Sequence, residues 1–116
     1  MSDKNTDENV LKDCLGKQRR LTELIEYAAD SIVSKTILDK SVGTITLFAF
    51  DKGQKLSEHT VPYDAVVEVL DGKVRLTIGA KDQQVSTGEI IIMPGNVPHS
   101  VLAVEDFKML LTMIRA

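Results

Sequence analysis

Residues 64–79 read DAVVEVLDGKVRLTIG. Two runs of alternating, largely β-branched residues flank Asp71-Gly72, a pair that suits the positive-φ positions of a tight two-residue hairpin turn. A period of two marks strands with one buried face, so the stretch predicts two antiparallel strands joined at Asp71-Gly72.

The same texture extends outward in both directions. Upstream lie SIVSKTIL (31–38) and GTITLFAF (43–50), separated by DKSVG. Downstream, the turn GAKDQ leads into QQVS, STGE into IIIM (90–93), and PGNVP into HSVLAV (99–104), before FKMLLTMI (107–114). Some eight to ten short strands at intervals of about ten residues, with turn chemistry between them, predict an all-β antiparallel sandwich or barrel. Residues 1–8 read as a disordered polar tail. Val10, Leu11, Leu15, Leu21, Leu24 and Ile25 recur at roughly helical spacing around a break at Gly16, predicting a short N-terminal helical segment lying against the barrel. The chain therefore divides into a tail with a helical segment (1–30) and a β-barrel (31–116).

At 116 residues the chain holds one domain with one core, and with no Trp and 4% aromatic residues that core must be made of Val, Ile, Leu and Met. A formal charge of −3 argues against nucleic acid, since nothing would neutralise several phosphates. Lys17, Arg19 and Arg20 are balanced by Asp13, Glu23 and Glu26 and read as a solvated face. The single cysteine, Cys14, allows no intrachain disulfide and reads as a structural thiol. Together with a polar N-terminus and no apolar run long enough to span a membrane, this predicts a soluble, cytoplasmic protein.

Two stretches carry a family likeness. Small cupins bear the signatures G-x5-H-x-H-x3,4-E-x6-G and G-x5-P-x-G-x2-H-x3-N. Gly53, His59 and Gly72 fit the first, and Gly88, Pro94 and His99, within GEIIIMPGNVPH, fit the second. With these anchors the chain resembles a small single-domain cupin over residues 31–116. The resemblance implies a double-stranded β-helix, or jelly roll, with His59 and His99 brought together at the barrel mouth. It implies a divalent metal held by both motifs, and metal-assisted oxidation or isomerisation of a small molecule as the commonest activity.

The chain departs from the pattern where it matters chemically. Val61 stands at the second histidine of the first motif and Ala65 at its carboxylate; the second glycine of the second motif is shifted to Gly95, and Ala103 stands at its asparagine. Two of four usual metal ligands remain, His59 and His99. Two imidazoles can still hold Zn, Fe, Ni or Cu, more weakly than a full set. If His59 faces inward, alternation turns Val61, Ala65 and Val67 inward too, with Val101 and Met109 facing them, and turns Glu58 and Glu68 outward. Asp64, at the Pro62 corner, reaches inward only if the register slips.

This predicts an apolar pocket of His59, His99, Val61, Ala65, Val67, Val101 and Met109 that takes one divalent metal or a small organic ligand. Met93 reads as core or pocket wall, and Phe48, Phe50 and Met113 read as core. The rival reading is a non-enzymatic ligand-binding or sensor domain without metal; a third is a structural dimer module. Each histidine also has a plainer role, His59 as a loop side chain bonded to backbone and His99 as a strand start. A homodimer is expected, through Val66, Leu70 and the out-facing residues of IIIM.

Overall fold

The computed structural model describes residues 10–115. Nine strands run through them: β1 (Ile32–Lys40), β2 (Gly43–Phe50), β3 (Lys55–His59), β4 (Ala65–Asp71), β5 (Lys73–Ile78), β6 (Lys81–Ser86), β7 (Ile90–Met93), β8 (His99–Ala103) and β9 (Phe107–Ile114). They form two antiparallel sheets, β1-β2-β9-β4-β7 and β3-β8-β5-β6, packed as a jelly roll. The inward faces of β4 and β5 alternate as the sequence requires: Ala65, Val67, Val69, Val74 and Leu76 are all buried. They pack with Phe50 and Phe107, whose ring centroids lie 5.1 Å apart, in the core between the sheets.

Asp71-Gly72 is not a hairpin turn. β4 pairs with β7 and β9, whereas β5 pairs with β6 and β8, so the chain crosses from one sheet to the other at this point. Gly72 has the positive φ of 78° that the sequence suggested, but Asp71 does not, which rules out the hairpin geometry with two left-handed residues. Glycine is required for a further reason: a Cβ at Gly72 would fall against the carbonyl oxygen of Asp106. The two-residue hairpin in this region is instead Gly79-Ala80, between β5 and β6.

The expected N-terminal helical segment is also corrected. Its ordered form is two 3-10 turns, Lys12–Cys14 and Leu21–Glu23, in an otherwise extended strap. Long lysines take up carbonyls that a helix would satisfy internally, Lys108 Nζ donating to Thr22 O (2.6 Å) and Lys35 Nζ to Leu24 O (2.7 Å). Two of the apolar residues at helical spacing, Leu24 and Ile25, serve a different surface, while Leu15 and Leu21 are exposed. Ile25, with Leu24 and Tyr27, covers the outer face of the larger sheet over Leu47, Ala49, Leu70 and Leu110. Tyr27 anchors the strap by donating to Asp71 Oδ2 at 2.6 Å. Burial, that bond and the nearby charge of Asp71 push its phenol well above the ordinary value of 10. Cys14 is half-buried. The polar-tail reading of residues 1–8 lies outside the described residues. Among the described residues, no helix is long and apolar enough to cross a membrane.

Candidate functional site

His59 ends β3 and His99 begins β8, and the two residues are register partners in that ladder. They are thus neighbours within one sheet rather than groups facing each other across the barrel mouth. A bulge sets the arrangement. Leu56 pairs with Val101 and His59 with His99, so β3 uses one residue more than β8 between the two pairs. Strict alternation from Leu56 would send Glu58 inward and His59 outward. The extra residue reverses this, so that Leu56 and His59 both line the same interior cavity and Glu58 stays exposed.

The rings meet edge to face, with centroids 4.3 Å apart and planes at 66°. Nδ1 of each lies near the backbone carbonyl two residues back, 3.0 Å from Ser57 O for His59 and 3.3 Å from Val97 O for His99. A carbonyl oxygen only accepts, so Nδ1 carries the proton and Nε2 of each neutral ring holds the lone pair. Metal-ligating histidines are commonly oriented in this way, by a carbonyl on the non-ligating nitrogen. His59 is indeed bonded to backbone, though as the last residue of β3 and not in a loop, and His99 does start a strand; both roles coexist with a place in the cavity wall. His59 is exposed and His99 buried. Burial pushes the His99 imidazole below its ordinary value of 6.5; the bond to Val97 O opposes this, and neighbouring His59 adds to the lowering.

The cavity measures about 130 Å³. Beside the two histidines, β3 and β8 contribute Leu56 and Val101, and Val61 closes the corner. The opposite sheet supplies Phe48, Ala65 and Leu111 together with Met93, Met109 and Met113. Of the residues expected from the sequence, His59, His99, Val61, Ala65, Val101 and Met109 meet here. Val67 does not: it is fully buried in the core, paired with Leu111 and Ile91 in the ladders. Sequence reasoning assigned Phe48, Leu56, Leu111 and Met113 to no pocket. The β3 bulge hid Leu56, and Met113 follows from the ladder, which sets Met93, Ala65 and Met113 side by side across β7, β4 and β9.

No carboxylate lines the cavity. Asp64, the acid nearest the corner, accepts from Gly95 N–H at 2.9 Å and so holds the 62–64 corner against the 94–98 turn. That turn explains the displaced glycine of the second motif. Asn96 takes the left-handed φ of 64° at the motif's glycine position, which asparagine tolerates, and its N–H donates to Val61 O at 2.7 Å. Gly95 is needed because a Cβ there would lie 2.9 Å from the Tyr63 carbonyl carbon.

A larger groove of about 620 Å³ opens at the other end of β4, lined by Lys52, Asp71, Lys73, Glu105 and Asp106 among others. Its acids are engaged structurally: Asp71 accepts from Tyr27, Asp106 from Lys52 N–H, and Glu105 lies 3.9 Å from Lys73 Nζ. The cavity behind the histidines is the better candidate for a specific ligand.

Comparison with known proteins points the same way as the fold. The model of the Cupin domain family matches residues 46–115. An uncharacterised Streptomyces coelicolor protein, SCO3923, is 30% identical over 96 residues, covering 81% of this chain and 91% of its own. The crystal structure of the conserved protein SPY1581 of unknown function from Streptococcus pyogenes superposes with a TM-score of 0.83 at 36% identity, over 86% of this chain and 88% of that one. A cupin superfamily protein from Desulfitobacterium hafniense, DSY2733, gives 0.84 at 21% identity over 93% of this chain and 96% of that one, a likeness of fold. A family model that spans more than half of the sequence, on a jelly roll shared with these structures, settles the membership: the chain belongs to the cupin family.

Proposed function

We propose that this cupin binds a metal ion or small ligand in the cavity behind His59 and His99, with the two Nε2 atoms as the gripping groups. The observation that carries this reading is the pairing of the two rings, each with Nδ1 committed to a backbone carbonyl, on the wall of one apolar cavity. Wild-type protein purified without chelators, and its His59→Ala and His99→Ala variants, test it by elemental analysis and by thermal shift against metal salts and small organic fragments. Bound ions bring their own stoichiometry, and any ligand selective for the folded state raises Tm. The expected response is lost in both variants. An equal response in wild type and both variants sinks the proposal.

The geometry favours binding over turnover. Iron oxygenase chemistry uses two histidines and a carboxylate with open positions, and proton transfer in isomerisation uses a placed acid or base. The cavity wall supplies the two imidazoles and no acid. The donors therefore do not fit the divalent, carboxylate-completed centre that the family likeness suggested. Oxidation or isomerisation of a small molecule remains the catalytic version of the proposal, to be tried on whatever ligand the screen returns. We place the protein in the cytoplasm as a homodimer, on the strength of its lone cysteine and of the exposed isoleucines on β7.

A further inference from the structure

We propose that the cavity is a soft-metal site, in which the imidazoles of His59 and His99 and the thioethers of Met93, Met109 and Met113 hold a monovalent cation of the Cu(I) or Ag(I) type. This rests on the two-histidine cavity being the ligand site, and names the class of ligand it takes.

Three of the four methionines in the chain line this one small cavity. Methionine is an ordinary core filler, so their number alone would decide little. Their placement adds more. Ala65 sits at the position where the family pattern has its carboxylate, and its two ladder partners are Met93 on β7 and Met113 on β9. The row that would have carried a hard oxygen donor instead carries an alanine flanked by two sulfur donors. Met109 stands four residues back along β9, opposite Phe48 and Val69, with Leu111 on the cavity wall between it and Met113.

Donor type then selects the metal. Thioether ligands favour Cu(I), and imidazole accepts copper as readily as zinc, whereas oxygen donors suit the harder divalent ions. Among the described residues no group of three or more His, Cys, Asp or Glu comes together to hold a metal, so two imidazoles are the most that a hard-metal site finds here. Charge agrees with softness. The wall is neutral and apolar apart from the imidazoles, and the cost of placing an ion in such surroundings grows with the square of its charge. A divalent cation would go uncompensated, and a monovalent one costs far less. Size agrees as well: about 130 Å³ falls short of the few hundred typical of organic-ligand pockets but is ample for an ion. Exposed His59 gives that ion a way in from the mouth, with buried His99 beneath.

The test is a titration of the full chain carrying Cys14→Ser, because a free thiol would compete for any soft ion. Ag(I), which is redox-inert, and Zn(II) are added separately while NMR follows the two imidazoles and the methionine methyl groups. One Ag(I) per chain should shift both rings together with the methyls of Met93, Met109 and Met113. It should bind more tightly than Zn(II) by about tenfold or more, a gap that Met93→Leu with Met113→Leu closes. Cu(I), added without oxygen, should compete for the same site. Methionine methyls that stay in place while the rings move, or Zn(II) bound as tightly as Ag(I), overturn the soft-metal site and leave the two-imidazole pocket standing. Rings that respond to neither ion also overturn it, and the organic-fragment arm of the earlier screen then decides the wider reading by itself.

Discussion

His59 and His99 face each other directly across the β3–β8 ladder, one exposed at the cavity mouth and the other buried beneath it, their rings 4.3 Å apart. The buried member is held below the ordinary imidazole value chiefly by desolvation. In metal-free protein this has a consequence for stability with a definite sign. As the pH falls through about 6.5, the unfolded chain protonates at this residue before the folded chain does. The unfolded state then binds more protons, so the contribution of His99 is constant above that pH and turns destabilising below it. Urea midpoints at neutral and mildly acidic pH, in wild type and His99→Gln, measure the effect. The variant should show the shallower acid-side decline; parallel curves would mean that His99 titrates normally.

Val61 and Ala65 stand where the family pattern has a histidine and a carboxylate, so adding those donors should give the cavity a preference for divalent metals. Val61→His with Ala65→Glu adds an imidazole and a carboxylate beside the existing pair. Ala65 is 1% exposed, and a carboxyl group there without a metal should destabilise the fold by roughly 2–4 kcal/mol. Zn(II) or Ni(II) should recover the loss and raise Tm well beyond its effect on wild type. A double variant that is destabilised yet indifferent to divalent ions would show that these positions do not converge on His59 and His99.

The sequence made the strands legible because alternation and turn residues are local signals: every run of β-branched residues singled out above is a strand. It misled at Asp71-Gly72 because a glycine with positive φ serves a sheet-to-sheet crossing as well as a hairpin, and its need here comes from Asp106, far along the chain. It misled in the N-terminal segment because Leu24 and Ile25 pack on the outer face of a sheet while Leu21 stays exposed, with Lys35 and Lys108 taking the carbonyls. Of the site, the two histidines and four of their five apolar neighbours were legible from motif spacing and alternation. Val67 was misplaced because a continuous row of inward residues runs past the cavity floor into solid core. The methionine row was not legible, since it exists only in the register of three strands, and the bulge that turns Leu56 and His59 to one side leaves no mark on composition.

Tyr27 and Asp71 tie the strap to the end of β4, and Tyr27 also lies under Lys108, with Nζ 4.9 Å from the ring centroid. Tyr27→Phe keeps the ring and the cation over it while removing the bond to a carboxylate. The expected loss is about 1–2 kcal/mol of unfolding free energy, read from denaturant midpoints. Hydrogen exchange should rise in residues 21–30 and stay unchanged at His59 and His99, which lie in the other sheet. Unaltered stability would mean that apolar contacts of Leu24 and Ile25 alone hold the strap.

Of the residues expected to form a dimer surface, one is covered within the chain. Leu70 is taken by the strap, where it packs with Ile25 and Tyr27, and is not available to a second copy. Ile90 and Ile92 on edge strand β7 are 64% and 59% exposed, with Ile114 at 62%, and Ile92 and Ile114 share a shallow groove with Val66. β7 is a short sheet edge with unpaired backbone on one side, the kind of element that a second copy can cover. Light scattering should return twice 12.8 kDa for wild type, and Ile92→Lys, which places a charge on that strip, should return 12.8 kDa with the fold intact. Wild type at 12.8 kDa across a wide concentration range would dispose of the dimer and leave the isoleucines as an ordinary apolar surface.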